Sequence, residues 1–229
     1  TDTNTLYAGS RSDSVSHLTT AVLNGFGYSC VGCPIIIADG LKGRAGVKVP
    51  IKGKVLKEAI IARDIVDADA MVVVTHFKGH ELSGFGGTIK NVGMGCAARE
   101  GKLIQHSNVA PQVNTQKCIG CKTCIPYCPV GAITLKEKKA FINAKKCIGC
   151  GECTLICPSK AIEIQWNESP DIFQKKMAEY ACGALKGKEN KVVFMSFVVQ
   201  VSPACDCYPN SDAPIVKDIG ILASKDPVA

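Results

Sequence analysis

A chain of 229 residues, 46% hydrophobic and 21% charged, is long enough to bury a core in one large or two small domains and reads as soluble and globular. Its longest apolar run, 192–201, is broken by Ser196 and Gln200 and falls short of the roughly 20 residues a membrane helix needs, so no membrane span is expected. The formal charge of +7 comes from basic residues scattered without aromatic interleaving, which gives no sign of a nucleic-acid surface.

In chain order, residues 14–24 form the first expected helix, capped near Ser12 or Asp13 and stopped at Gly25. The apolar runs 34–39 (PIIIAD) and 70–75 (AMVVVT) resemble strands buried in a parallel sheet. Between them Leu56, Ile60 and Ile61 recur at helical spacing, with Lys57, Glu58 and Arg63 on the other side, which predicts a helix over 54–66. The strand 70–75 runs into Thr75-His76-Phe77-Lys78-Gly79-His80, and open α/β sheets place ligands at such strand ends. His76, Lys78 and His80 are therefore candidate catalytic residues, weighed against an ordinary polar loop. The turn 84–90 (GFGGTIK) leads into a helix over 88–97 and adds Lys90 as a candidate. It matches neither a P-loop nor a dinucleotide fingerprint, so it reads either as an anion cradle or as a plain tight turn. Cys96 reads as a small core residue.

The clearest feature is a repeat. Lys117-Cys118-Ile119-Gly120-Cys121 recurs 29 residues later as Lys146-Cys147-Ile148-Gly149-Cys150, and PVGAITL (129–135) recurs at the same offset as PSKAIEI (158–164). Two copies this short cannot each bury a core, so they are expected to pair around metals in a module over 110–166, with Pro111 near its start. Cys118, Cys121, Cys124 and Cys128 form C-x2-C-x2-C-x3-C-P, and Cys147, Cys150, Cys153 and Cys157 form it again. This is the spacing of the bacterial two-cluster ferredoxin, in which the fourth cysteine of each run serves the other cluster. Cluster I is thus expected on Cys118, Cys121, Cys124 and Cys157, and cluster II on Cys147, Cys150, Cys153 and Cys128. The expected cofactors are two 4Fe-4S clusters. Gly120, Gly149 and Gly151 permit tight turns that aim N–H groups at sulfur, and Ile119, Ile125, Ile148 and Ile156 are expected to exclude water. Two structural zinc sites are the competing reading, although zinc needs no third CxxC step and no exchanged ligand.

Beyond the module, Ser169-Pro170 starts a helix over 172–185, which Gly187 ends, and 191–199 reads as a strand. Lone Cys182 on that helix reads as core. The helix and strand are expected to rejoin the sheet of the first segment. The fold class is then α/β, a mostly parallel sheet flanked by helices with an inserted α+β two-cluster ferredoxin-like module. Its segments are 1–109, 110–166 and 167–229. Cys205-Asp206-Cys207 follows the last strand and is a candidate for a further metal or redox site, which Cys30 and Cys33 could join as a four-thiolate set.

The runs TDTNTLYAGSR (1–11), IIIADGLKG (35–43), THFKGHELSGFGGTIKNVGMGC (75–96) and the stretch from CDC to DIGILASKDPVA (205–229) resemble the domain of unknown function 362, in its ferredoxin-bearing branch. The resemblance implies an α/β protein binding 4Fe-4S clusters, with members that continue on both sides of this chain; Cys30-x2-Cys33 departs from the pattern.

These readings make the chain an electron-transfer protein, expected to work as a redox enzyme or a component of one. The alternatives are a carrier without its own substrate site and a non-enzymatic redox sensor. Its expected partner is a redox protein or a small-molecule substrate. The clustered cysteines, and the lack of a basic-then-apolar leader after Thr1, favour the reducing cytoplasm.

Overall fold

The computed structural model describes residues 1–208 and 212–228. In chain order its elements are helices α1 (Ser14–Leu23) and α2 (Tyr28–Val31), strands β1 (Gly46–Pro50) and β2 (Glu58–Ala62), α3 (Arg63–Asp67), and strands β3 (Met71–His76), β4 (Lys78–His80) and β5 (Gly84–Gly86). Then come α4 (Thr88–Gly95), α5 (Arg99–His106), β6 (Gln112–Val113), β7 (Ile133–Lys136), β8 (Lys139–Ile142), α6 (Glu152–Ile156) and β9 (Ile162–Glu163). The last elements are α7 (Pro170–Leu185), β10 (Val192–Val198) and β11 (Gly220–Ser224). The chain divides into two compact units, Thr1–Val47 with Ala98–Glu168, and Lys48–Ala97 with Ser169–Ala229. Residues 1–47 and 98–109 therefore group with the cysteine module, where the sequence suggested a single segment 1–109.

The architecture is mixed α/β, but its sheets are small and mainly antiparallel, which corrects the expected mostly parallel sheet. Two local misreadings explain much of the difference. The run 34–39 contributes only an isolated parallel bridge, Asp2 to Ile37. The helix expected over 54–66 is instead β2 followed by the short α3. Ala59, Ile60, Ile61 and Ala62 are all buried, and a strand covered on both faces shows no alternation to distinguish it from a helix.

In the first unit, the Asp13 carboxylate caps α1 by accepting from the Val15 and Ser16 N–H groups, as the sequence implied. Arg99, at the start of α5, is fully buried. Its guanidinium donates to the carbonyls of Thr5 (3.0 Å), Lys42 (2.8 Å) and Ser12, and pairs with Glu152 of α6 at 3.3 Å. Lys102, one turn on, donates to the Asn4 carbonyl at 2.6 Å. These two cations tie the N-terminal segment to α5, and Arg99 reaches the cysteine module through Glu152. Inside the module the strands pair as the repeat requires. The strand before the first motif (β6) joins the one after the second (β9), and the strand after the first (β7) joins the one before the second (β8), both antiparallel.

In the second unit β3 runs parallel to β10, with Val72 opposite Val193 and Thr75 opposite Ser196, so the strand at 191–199 does rejoin the strand at 70–75. Antiparallel β11 completes the sheet. Helix α7 starts with Ser169 as cap and Pro170 in its first turn. It packs on α4 so closely that a side chain on Gly93 would run into the Met177 carbonyl. Helix α4 lies on the sheet face of Val73, Thr75 and Phe194. There the Asn91 amide donates to the Thr75 hydroxyl and the Val74 carbonyl, both at 2.9 Å, and Thr88 meets Ser196 at 3.0 Å.

Candidate functional site

Each motif of the module begins in the same way. Asn114 Oδ1 accepts from the N–H groups of Gln116 and Lys117, and Asn143 Oδ1 accepts from that of Lys145, while the Asn114 and Asn143 carbonyls accept from Cys118 and Cys147. Gly120 and Gly149 then turn the chain back at φ +68° and +74°, a conformation that costs a side-chain-bearing residue strain. The result is two cavities. One is lined by Cys118, Cys121, Cys124 and Cys157. The other is lined by Cys128, Cys147, Cys150 and Cys153. The first three cysteines of each run thus meet the fourth of the other.

Donors surround the sulfurs. Backbone N–H groups of Ala132, Ala140 and Ala161 point at Cys128 (3.2 Å), Cys118 (3.4 Å) and Cys157 (3.3 Å), and the Thr123 hydroxyl points at Cys121 (3.3 Å). These three backbone donors are all alanines that lie outside the glycine turns. The Thr123 bond holds the Cys121 thiol below its ordinary range. Burial pushes Cys157 up, but bonds from Ser159 and Ala161 outweigh it. Where donors are fewer the sign reverses: burial, then the neighbouring thiols Cys150 and Cys147, push Cys153 up to about 12. Burial likewise raises Cys124 and Cys150, with Cys157 acting on the first and Cys128 on the second. Crowded thiols of this kind become thiolates only when positive charge enters the cavity. Ile125 and Ile156 pack against the module core as expected. Ile119 and Ile148 are 70% and 40% exposed, so they form the outer lip of each cavity and not a seal.

The second unit gathers the other candidates. The β4–β5 hairpin follows β3, and Gly79 of β4 donates to the Ser202 carbonyl at 2.8 Å, with no room for a side chain against Pro203. This close approach sets the 76–80 segment beside the 201–208 loop. His76 Nδ1 lies 2.8 Å from Asp206 Oδ2 and its Nε2 lies 2.9 Å from the Val199 carbonyl. Lys78 Nζ reaches the same Asp206 oxygen at 3.1 Å. Lys90 Nζ donates to Cys205 Sγ at 3.2 Å, as does the Cys207 N–H at 3.4 Å. His80 is buried and stacked on Phe173 at 5.9 Å, and its Nδ1 accepts from the N–H groups of Leu82 and Ser83. A bond from the Cys207 thiol, with His80 and the Lys90 charge adding to it, holds the buried Cys205 thiol far below its ordinary range, while Cys207 is raised by the same bond. Asp206 is the functional-type residue the sequence reading passed over; its only signal was that it is the carboxylate between two cysteines.

The remaining cysteines separate. Cys30 and Cys33 are exposed in the first unit, and Cys182 is exposed on α7, which corrects its reading as core; Cys96 is buried as expected. Cys30 and Cys33 belong to the first unit and Cys205 and Cys207 to the second, and among the described residues no three His, Cys, Asp or Glu side chains are gathered to hold a single metal ion. Among those residues, too, no helix is long and apolar enough to cross a membrane.

Fold and site together define a mixed α/β chain carrying a twice-repeated tetracysteine module. The chain belongs to the DUF362 family, the domain of unknown function (DUF362), whose pattern matches residues 1–229. No curated protein and no solved structure matches it.

Proposed function

We propose that this chain, as a member of a ferredoxin-bearing branch of the family, holds two 4Fe-4S clusters in residues 110–166 and transfers electrons. One observation carries the reading: each complete set of four cysteines, with its fourth member exchanged between the runs, lines its own cavity. A single zinc ion draws four sulfurs onto one point, whereas a cubane keeps them apart around a body of iron and sulfide. Cys118, Cys121, Cys124 and Cys157 hold the first cluster, and Cys147, Cys150, Cys153 and Cys128 hold the second. When bound, the clusters would supply one-electron transfer. The chain's own part is to offer N–H and hydroxyl donors to the sulfurs, through Ala132, Ala140, Ala161 and Thr123, which stabilises the more negative state.

The polar cluster around Cys205 is more than a bare carrier requires, and it favours a redox enzyme or enzyme component passing electrons to a partner protein or small-molecule substrate. No disulfide joins any of the fourteen cysteines, and the metal-ligand spacing of eight of them suits a reducing cytoplasm. Iron and acid-labile sulfide analysis of protein prepared without oxygen tests the assignment. About eight of each per chain are expected, with spectroscopic signals of two interacting cubanes on reduction. Stoichiometric zinc, or a single cluster, defeats it.

A further inference from the structure

The thiol pair in the second unit is unused by the clusters, and its surroundings are specific. Cys205 is 3% exposed, yet the groups facing its sulfur are donors: the Lys90 ammonium, the Cys207 N–H and S–H, and the His80 ring. The tautomer of His80 follows from its other contacts. Because Nδ1 accepts two backbone N–H groups, the neutral ring carries its proton on Nε2, the nitrogen left to donate to Cys205. The carboxylate of Asp206, between the two cysteines, is paired with His76 and Lys78. The Glu81 charge acts on Cys207, where it favours the protonated thiol. A lysine ammonium 3.2 Å from the sulfur repels a metal cation and suits a bare thiolate.

The second cysteine is placed to react with the first. Residues 205–208 form a turn closed by the Tyr208 N–H to the Cys205 carbonyl at 3.1 Å, and this folds Cys207 back over Cys205. The extended strand that would keep such a pair from bonding is absent there. Cys207 is exposed and Cys205 buried, so the pair presents one sulfur to solvent and keeps the other behind it.

We propose that Cys205 and Cys207 are a redox-active dithiol that a low-molecular-weight disulfide oxidises to an intramolecular disulfide. Cys207 Sγ attacks one sulfur of the disulfide RSSR as its proton passes to the Cys205 thiolate; the Cys207–SR bond forms, the S–S bond breaks and RS⁻ leaves. That proton then goes from Cys205 to the departed thiolate, giving RSH. Cys205 Sγ attacks Cys207 Sγ, the ring closes and a second RS⁻ is released. Two electrons pass from the cysteine pair to RSSR, and one proton goes with them. Lys90 and His80 are positioning residues that keep Cys205 charged and aimed.

The test uses the full chain, prepared without oxygen and incubated with mixtures of reduced and oxidised glutathione. Trypsin cuts at Lys191 and Lys217, and the peptide 192–217 contains no cysteines besides Cys205 and Cys207, so its mass reports on this pair alone. Loss of two hydrogens from that peptide as the mixture becomes oxidising is expected. Cys205→Ser should trap a glutathione adduct on Cys207 with iron content unchanged. Lys90→Met should slow ring closure roughly tenfold at neutral pH, and Lys90→Arg should restore it. A wild-type peptide that stays reduced, collects two separate glutathione adducts, or holds stoichiometric zinc overturns the proposal, whatever the clusters do.

Discussion

Replacing Gly120 and Gly149 with alanine, one at a time, separates what the repeat makes equal from what the fold makes different. The two glycines hold the same place in the two motifs and have nearly the same left-handed backbone, φ +68° and +74°. Each alanine therefore carries a similar conformational cost of about 1–2 kcal/mol. The neighbours differ. A Cβ on Gly149 meets the end of the Leu103 side chain at 3.1 Å, which can rotate away. A Cβ on Gly120 runs into the Lys138 carbonyl oxygen, which is backbone at the turn of the β7–β8 hairpin. Moving that carbonyl costs roughly a further 1–3 kcal/mol and displaces Ala140, whose N–H points at Cys118. Gly120→Ala is thus expected to lose the cluster on Cys118, Cys121, Cys124 and Cys157 and keep about four irons, whereas Gly149→Ala keeps about eight. Iron and sulfide analysis with spectroscopy of the reduced proteins reads the difference directly. Equal iron content in the two variants would show that the backbone contact at Lys138 does not govern the site.

Arg99→Met should destabilise the first unit by roughly 3 kcal/mol or more, because it strips a buried Glu152 of its closest cation and leaves it, among the described residues, the half-exposed Arg44; an unchanged urea midpoint, followed by Trp166 fluorescence, would refute this. Burial pulls Lys102 down to about 8 from 10.5, so between these values the unfolded chain binds more protons and stability should rise with pH, by on the order of 2–3 kcal/mol across the window. Slower unfolding in urea from pH 8 to 10.5 is expected, absent in Lys102→Met; parallel profiles for the two proteins would contradict it. Gly93→Ala should destabilise by roughly 1–3 kcal/mol despite alanine's better helix propensity, since the side chain meets the Met177 carbonyl, while Gly95→Ala, facing only Asn91 Oδ1 at 3.4 Å, should be neutral or stabilising; thermal unfolding of both checks the sign.

What the sequence determined by itself lies close to local chemistry. The helix cap at Asp13, the Ser169-Pro170 helix start, the helix after the 84–87 glycines and the two cysteine runs all depend on residues a few positions apart, and all are legible. That Cys128 and Cys157 each line the cavity of the other run agrees with the doubled C-x2-C-x2-C-x3-C-P spacing, in which the fourth cysteine of each run is exchanged. What only the tertiary structure decided depends on burial and on distant partners. The Ala59–Ala62 run is a strand because both of its faces are covered, and no pattern in the sequence records that. Residues 1–47 belong with the module because Arg99 and Lys102 collect carbonyls from Thr3 to Lys42, bonds between groups far apart in the chain. The donors around Cys205 are likewise set by the approach of Gly79 to Pro203, which brings Lys90 to a sulfur 115 residues away, a proximity that spacing along a chain cannot encode.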